Sequence, residues 1–113
     1  MATLFEFTVG STVYRYTNAQ KNVTVDSQAY TSIYIERSEI NLEQLNSSLS
    51  IKMQPDQFPA KYFLDTGPPF RVNVTVYSLL ASSKVVVFDG YVKKGSFENK
   101  KGIVVLRATT KLP

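Results

Sequence analysis

The feature of this sequence that most constrains its fold is a strict alternation of apolar and polar residues along several short segments. In the clearest segment the apolar positions are Phe70, Val72, Val74 and Val76. The same pattern recurs at Phe5, Phe7 and Val9, at Ile33 and Ile35, and at Leu45, Leu49, Ile51 and Met53, with Ser47 in register. Because successive side chains of a strand point to opposite faces, these segments are predicted to form half-buried antiparallel strands.

Two other segments, residues 85–88 and 103–106, are continuously apolar and rich in β-branched residues. Short runs of this kind predict strands that are covered on both faces. Turn-forming residues separate the predicted strands at Gly10-Ser11, Asp26-Ser27, Gly67-Pro68-Pro69, Ala81-Ser82-Ser83 and residues 98–102. Their spacing favours a meander or a small barrel.

One segment departs from the strand pattern and predicts a short helix over residues 57–64. Asp56 is a candidate N-cap, Pro59 is tolerated in a first helical turn, and Gly67 follows the predicted end. The aromatic residues Phe58, Tyr62 and Phe63 gather toward one side of this helix. We expect it to pack across the mouth of the barrel.

The length of 113 residues is sufficient for one compact domain, predicted to span residues 1–113. A hydrophobic fraction of 43% is ordinary for a globular chain and argues against disorder. The predicted fold is therefore all-β and mostly antiparallel, a small barrel or sandwich with one short helix.

The chain contains neither cysteine nor histidine. This excludes metal sites with thiolate or imidazole ligands, serine and cysteine triads, and a histidine that acts as acid or base. The carboxylates Glu36, Glu39 and Glu43 with Arg37 are the one cluster that resembles an acid/base site, but strand alternation places Glu36 and Arg37 on opposite faces. A solvated strand edge explains this cluster better, so we expect no enzymatic activity, no cofactor and no metal.

Two observations bear on localisation and membranes. The N-terminus carries no positive segment followed by a long apolar stretch, as a signal peptide would. No apolar run approaches the roughly 20 residues of a membrane helix. We therefore expect synthesis in the cytoplasm and no membrane partner.

The net charge of +4 is distributed unevenly along the chain. Residues 1–56 hold four basic and six acidic side chains, whereas residues 57–113 hold nine basic and three acidic ones. The basic half is suited to nucleic acid, to an anionic lipid surface or to an acidic neighbour. Tyr14, Tyr16, Tyr30 and Tyr34 near Arg15 and Lys21 match the aromatic and basic mixture of an oligonucleotide-binding barrel, although tyrosine is also typical of strands and interfaces.

Several segments, in order, resemble the opening domain of tailed-bacteriophage baseplate hub and tail-tip proteins, which also occurs in gene transfer agents. They are residues 4–10 (LFEFTVG), 13–17 (VYRYT), 23–31 (VTVDSQAYT), 35–40 (IERSEI) and 49–55 (LSIKMQP). The second resembles the family pattern V-[WY]-R-Y-T, and the fourth resembles I-x-R-[SG]-x-I. The resemblance covers about residues 4–109.

This resemblance implies a tail-tube or hub-like β domain whose copies join into a ring, with DNA passing through as cargo. Other tail or baseplate proteins are the implied partners, and the virion tail is the implied location. We expect Lys93, Lys94, Lys100 and Lys101 at or near a contact between copies, because oppositely charged halves of neighbours can meet there. Two alternatives stay open: a nucleic-acid-binding β-barrel, and an adaptor or receptor-binding module of the virion.

Overall fold

Antiparallel strand pairing dominates the computed structural model of this chain, which describes residues 2–38, 48–65, 67, 71–81, 83–100 and 102–110. For residues 93–96 and 100 the description covers the backbone. Within these ranges the strands are β1 (Thr3–Val9), β2 (Thr12–Thr17), β3 (Val23–Val25), β4 (Gln28–Ser32), β5 (Ile35–Arg37), β6 (Ser48–Met53), β7 (Val72–Leu80), β8 (Ser83–Lys100) and β9 (Ile103–Thr110). The helix α1 (Ala60–Leu64) lies between β6 and β7.

The described strands form one sheet in the order β3-β4-β2-β1-β7-β8-β9-β6-β5. Every pairing is antiparallel except that of β2 with β4, which is parallel and joins only Tyr16 to Thr31 and Thr17 to Ser32. The prediction of an all-β, mostly antiparallel fold with one short helix is confirmed. The sheet is open and is not closed into a barrel.

A short connection links the two ends of this open sheet. β4 runs beside β2 and, after Ile33 and Tyr34, the chain continues as β5 beside β6. The polypeptide chain makes this link, and no continuous ladder of hydrogen bonds joins β4 to β5 among the described residues. The sheet therefore curls around its core, and the described strands keep unpaired edges.

The main core lies on one face of the curled sheet. The alternating residues Phe5, Phe7, Val72, Val74 and Val76 are almost completely buried there. They pack with Leu49, Ile51, Met53, Val104, Leu106 and Ala108 from the other half of the sheet and with Ala60 and Phe63 from α1. The predicted alternation in β1, β6 and β7 is thus confirmed, while Phe70, Leu45 and Ser47 lie outside the described residues.

The prediction that residues 85–88 are covered on both faces is wrong for Val85 and Val86, which are 46% and 55% exposed. Residues 83–89 of β8 pair only with β7 among the described residues, because the β9 ladder begins at Gly90 and Thr110. Val85 and Val86 therefore extend beyond the main core, whereas Val87 packs against it and Phe88 belongs to it. Residues 103–106 also depart from the prediction, since burial alternates along them and is complete only at Val104 and Leu106.

The helix begins three residues later than predicted, at Ala60. Pro59 is the N-cap and no side chain caps the helix, so the predicted cap role of Asp56 is wrong. The residue before a proline is disfavoured in helical conformation, which keeps Phe58 outside the helix. The predicted stop is confirmed, since the Gly67 amide donates to the Tyr62 carbonyl at 2.7 Å. No helix in the described ranges is long and apolar enough to cross a membrane.

Two glycines of the β8–β9 region are constrained for different reasons. Gly102 lies in the turn between the strands at a φ of +81°, with open space where a Cβ would lie. Gly90 pairs with Thr110, and a Cβ there would clash with the Thr109 carbonyl, lying 2.8 Å from its carbon, and would lie 2.9 Å from the Phe88 ring. Backbone cannot move aside as a flexible side chain can, so Gly90 is required by close approach.

We expect Gly90→Ala to lower the free energy of unfolding by about 2–3 kcal/mol, because the added methyl group forces β8 and β9 apart. Urea unfolding followed by circular dichroism measures the change. Gly102→Ala is the matched control, with a loss of about 1 kcal/mol from its left-handed backbone alone. Equal losses in the two variants would contradict the close approach at Gly90.

An exposed hairpin arm and the polar cluster at its base

The tip of the β7–β8 hairpin extends past the main core. We call residues 77–81 and 83–87 the hairpin arm. In its register Tyr77 faces Val86, Ser78 faces Val85 and Leu79 faces Lys84. The register shifts between Val76 and Tyr77, which marks a β-bulge at the base of the arm.

Large apolar side chains are exposed on both faces of the hairpin arm. Leu80 is 43% exposed, and Val85 and Val86 are more so. Residues directly opposite in an antiparallel pair share a face, so Val86 lies on the face of Tyr77, whereas Val85 lies on the face of Ser78. The arm therefore presents apolar surface on each side.

One edge of the hairpin arm has no strand beside it in the described part of the chain. Residues 83–89 use only the side of the backbone that faces β7. Within residues 83–87, the other N–H and C=O groups have no strand partner in the described part of the chain, so they form a row that can accept a further strand. The exposed edge is β-branched at Val85, Val86 and Val87, which suits strand pairing.

The single charged residue of the hairpin arm, Lys84, does not protect this edge against pairing with another strand. Its ammonium group lies at the base of the arm, and its side chain is 13% exposed. It donates to the Tyr30 hydroxyl at 2.8 Å and to the Gln28 amide oxygen at 3.1 Å, and it lies 3.4 Å from the Glu6 carboxylate. Edge lysines commonly prevent unwanted strand pairing. Here that cation is held away from the edge.

Glu6 is the anion of this polar cluster. It lies on β1 between Phe5 and Phe7, so strand alternation turns it to the face opposite the main core. Its Oε2 accepts a hydrogen bond of 2.5 Å from the Tyr30 hydroxyl and lies 3.6 Å from the Arg15 Nε. The carboxylate thus lies near two cations, Lys84 and Arg15.

The β3–β4 hairpin partly covers the polar cluster. Leu4, Val25 and Tyr30 form a small buried group there, against which Tyr77 and Leu79 pack. The Lys84 ammonium lies 4.4 Å from the centre of the Tyr77 ring, which is a cation–π geometry. Burial raises the pKa of Tyr30, and the hydrogen bond to Glu6 raises it further. Burial also raises the pKa of Tyr77, so both phenols stay protonated at neutral pH.

The tyrosines that suggested a base-stacking surface do not form one platform. Tyr16 and Tyr30 are buried, and Tyr34 is exposed with its hydroxyl bonded to Glu36. Tyr14 shares a 2.9 Å hydroxyl contact with Tyr62 beside the Phe58 ring. That contact, followed by burial, raises the pKa of Tyr14 to about 12. These rings join β2 to the segment around α1.

The predicted lysine contact stays a prediction. The backbone of Lys93 and Lys94 lies in β8 between Val92 and Phe97, where the register with β9 shifts, and Lys100 pairs with Ile103. Lys101 lies outside the described residues.

The acidic cluster weighed as an acid/base site is described only in part, since Glu39 and Glu43 lie outside the described residues. Glu36 and Arg37 line a shallow cleft with Ser50 and Lys52. Within the described ranges no group of three or more carboxylates can hold a metal ion.

Sequence reasoning missed the hairpin arm and the polar cluster. The available signal was that residues 77–87 contain one charge, Lys84, beside a run of valines. Its partner Glu6 lies 78 residues away in sequence, so no local pattern connects them.

A scan of models of protein families and a search of curated proteins found no match for this chain.

The raised pKa of Tyr30 predicts a pH dependence of stability. Unfolded tyrosine has a pKa of about 10, so the contribution of Tyr30 is complete below pH 10 and is lost as the pH rises beyond it. We expect Tyr30→Phe to lower the free energy of unfolding by roughly 1–2 kcal/mol at pH 8, because the hydrogen bonds are lost. The difference in the free energy of unfolding between wild type and Tyr30→Phe should become smaller at pH 11.

Urea unfolding of both proteins at the two pH values measures this difference. Lysine deprotonation affects both proteins, so the change in their difference reports on Tyr30. A deficit that stays constant from pH 8 to pH 11 would show that Tyr30 has an ordinary pKa in the folded protein.

Proposed function

We propose that this chain is a structural subunit of a bacteriophage tail, in the baseplate or tail-tip hub. Copies of it assemble side by side into a ring around the DNA channel and contact other tail or baseplate proteins. In this proposal the protein is made in the host cytoplasm and becomes part of the virion, and DNA is only passing cargo. The role requires no catalytic residue and no cofactor.

The observation that carries this proposal is the hairpin arm. Val85 and Val86 are exposed on a part of β8 that has no second strand partner among the described residues, and the one lysine of the hairpin arm, Lys84, is held at the polar cluster. Covering a half-exposed valine is worth about 1 kcal/mol, and a free strand edge provides main-chain hydrogen bonds to a partner. This combination supports an assembly role. The resemblance of residues 4–109 to baseplate hub domains supports the tail as the location.

We expect the purified protein to associate in a concentration-dependent way, and Val86→Lys to weaken that association at least tenfold. A lysine at this position places a hydrated charge where a partner strand would pack. Sedimentation velocity and native mass spectrometry measure the distribution of masses. Gln54→Lys is the matched control, since it adds the same charge at an exposed position that follows β6, a strand that borders neither β2 nor the hairpin arm.

Association that is equally strong in wild type, Val86→Lys and Gln54→Lys would remove the hairpin arm from the proposed contact. Monomeric wild-type protein at all concentrations would overturn assembly from copies of the chain.

A second measurement tests the tail itself. Antibody labelling of purified virions under negative-stain microscopy should mark the tail tip, and mass determination should give several copies in each particle. Absence of the chain from particles would overturn the proposal. Salt-sensitive binding to single-stranded DNA would then favour the nucleic-acid-binding alternative.

A further inference from the structure

The exposed large hydrophobic side chains are not spread evenly over the described surface. They are Val13, Tyr34, Leu80, Val85 and Val86. Val13 lies in β2, Tyr34 lies next to β5, and the other three lie in the hairpin arm. Each of these places is a strand edge without a strand partner among the described residues, or lies beside one. Apolar exposure and free backbone groups therefore coincide.

Residues 12–15 of β2 have a strand on only one side within the described part of the chain. β2 pairs with β1 along its whole length, but β4 joins its other side only at Tyr16 and Thr17. Among the described residues, positions 12–15 therefore have no strand partner on that side. We call this stretch the β2 edge, and it carries Val13 at 37% exposure.

The single charge of the β2 edge is also held away from it. Arg15 directs its Nε toward the Glu6 carboxylate at 3.6 Å, and its side chain is 28% exposed. Lys84 of the hairpin arm lies near the same Glu6 oxygen at 3.4 Å. One carboxylate on β1 therefore draws the cations of both edges onto the outer face of the sheet. Both edges lose the charge that would keep a strand from pairing.

The β5 edge differs in this respect. It is three residues long, and two of them, Glu36 and Arg37, are charged and exposed. Short length and exposed charge are the features that protect an edge from pairing. Tyr34 nearby bonds to Glu36 through its hydroxyl at 3.2 Å. The β5 edge is therefore protected against pairing with another strand.

We propose that the hairpin arm of one copy pairs edge to edge with the β2 edge of a second copy. This inference rests on the proposed function and names the surfaces through which the copies join. The two edges are unlike, so the contact is head-to-tail and each bound copy presents a further free edge. A contact of this kind generates a ring when its rotation closes. Val86 and Val13 then lie at the same seam.

The absence of cysteine from the chain makes this seam testable by cross-linking. The first variant carries Val86→Cys and Val13→Cys, and the matched control carries Val86→Cys and Tyr34→Cys. Each is treated with a short bismaleimide, whose reach tolerates a shift of register by one residue. Denaturing gels then separate monomer from cross-linked products, and sedimentation velocity gives the mass of each untreated variant.

We expect the first variant to form a ladder of covalent dimers and larger products, and the control to give less than a tenth of that yield. If the protein associates but the Val13→Cys variant gives no cross-linked product, the edge pairing is overturned and the tail assembly proposal stands. The same holds if the Tyr34→Cys control gives an equal amount of product. Wild-type protein that is monomeric at every concentration would overturn self-assembly and the edge pairing together. Single-cysteine variants control for products that need only one position.

Discussion

A carboxylate placed on the outer face of the central strand β1 determines how the rest of this sheet is arranged. Glu6 lies between two core phenylalanines, so it must face away from the main core, and the β3–β4 hairpin covers it to 15% exposure. A half-buried carboxylate is costly unless it is paired and hydrogen-bonded. Tyr30, Lys84 and Arg15 meet that requirement from three different strands. The two ion pairs therefore hold β2 and the hairpin arm, and the Tyr30 hydrogen bond holds β4, in fixed relation to β1.

The same interactions decide which strand edges are available to a partner. A lysine or arginine in an edge strand ordinarily opposes pairing because its charge would be buried by the incoming chain. Lys84 and Arg15 instead share the Glu6 carboxylate within the molecule, and their long side chains lie over the outer face. The contacts with Glu6 thus stabilise the fold and also leave the two edges open to a partner strand. The β5 edge, which has no link to Glu6 among the described contacts, keeps its charges exposed.

Much of the fold could be predicted from the sequence because strand alternation is a local property. The buried faces of β1, β6 and β7 follow directly from Phe5, Ile51 and Val74 and their neighbours. The helix start was misplaced because Pro59 affects the residue before it, an effect that the capping pattern at Asp56 did not take into account. The polar cluster was missed because its members come from β1, β2, β4 and β8. Only the sheet order brings those strands together.

The failed prediction at Val85 and Val86 is itself informative about the hairpin arm. A continuous β-branched run is typical of a strand covered on both faces and flanked on both sides. Further along β8, Phe88 and Val92 are buried, so the departure is confined to Val85 and Val86, which have no second neighbour strand among the described residues. β-branched side chains are already stiff, so covering them loses little side-chain entropy. An added strand at this edge would give residues 85–87 the surroundings that their composition favours.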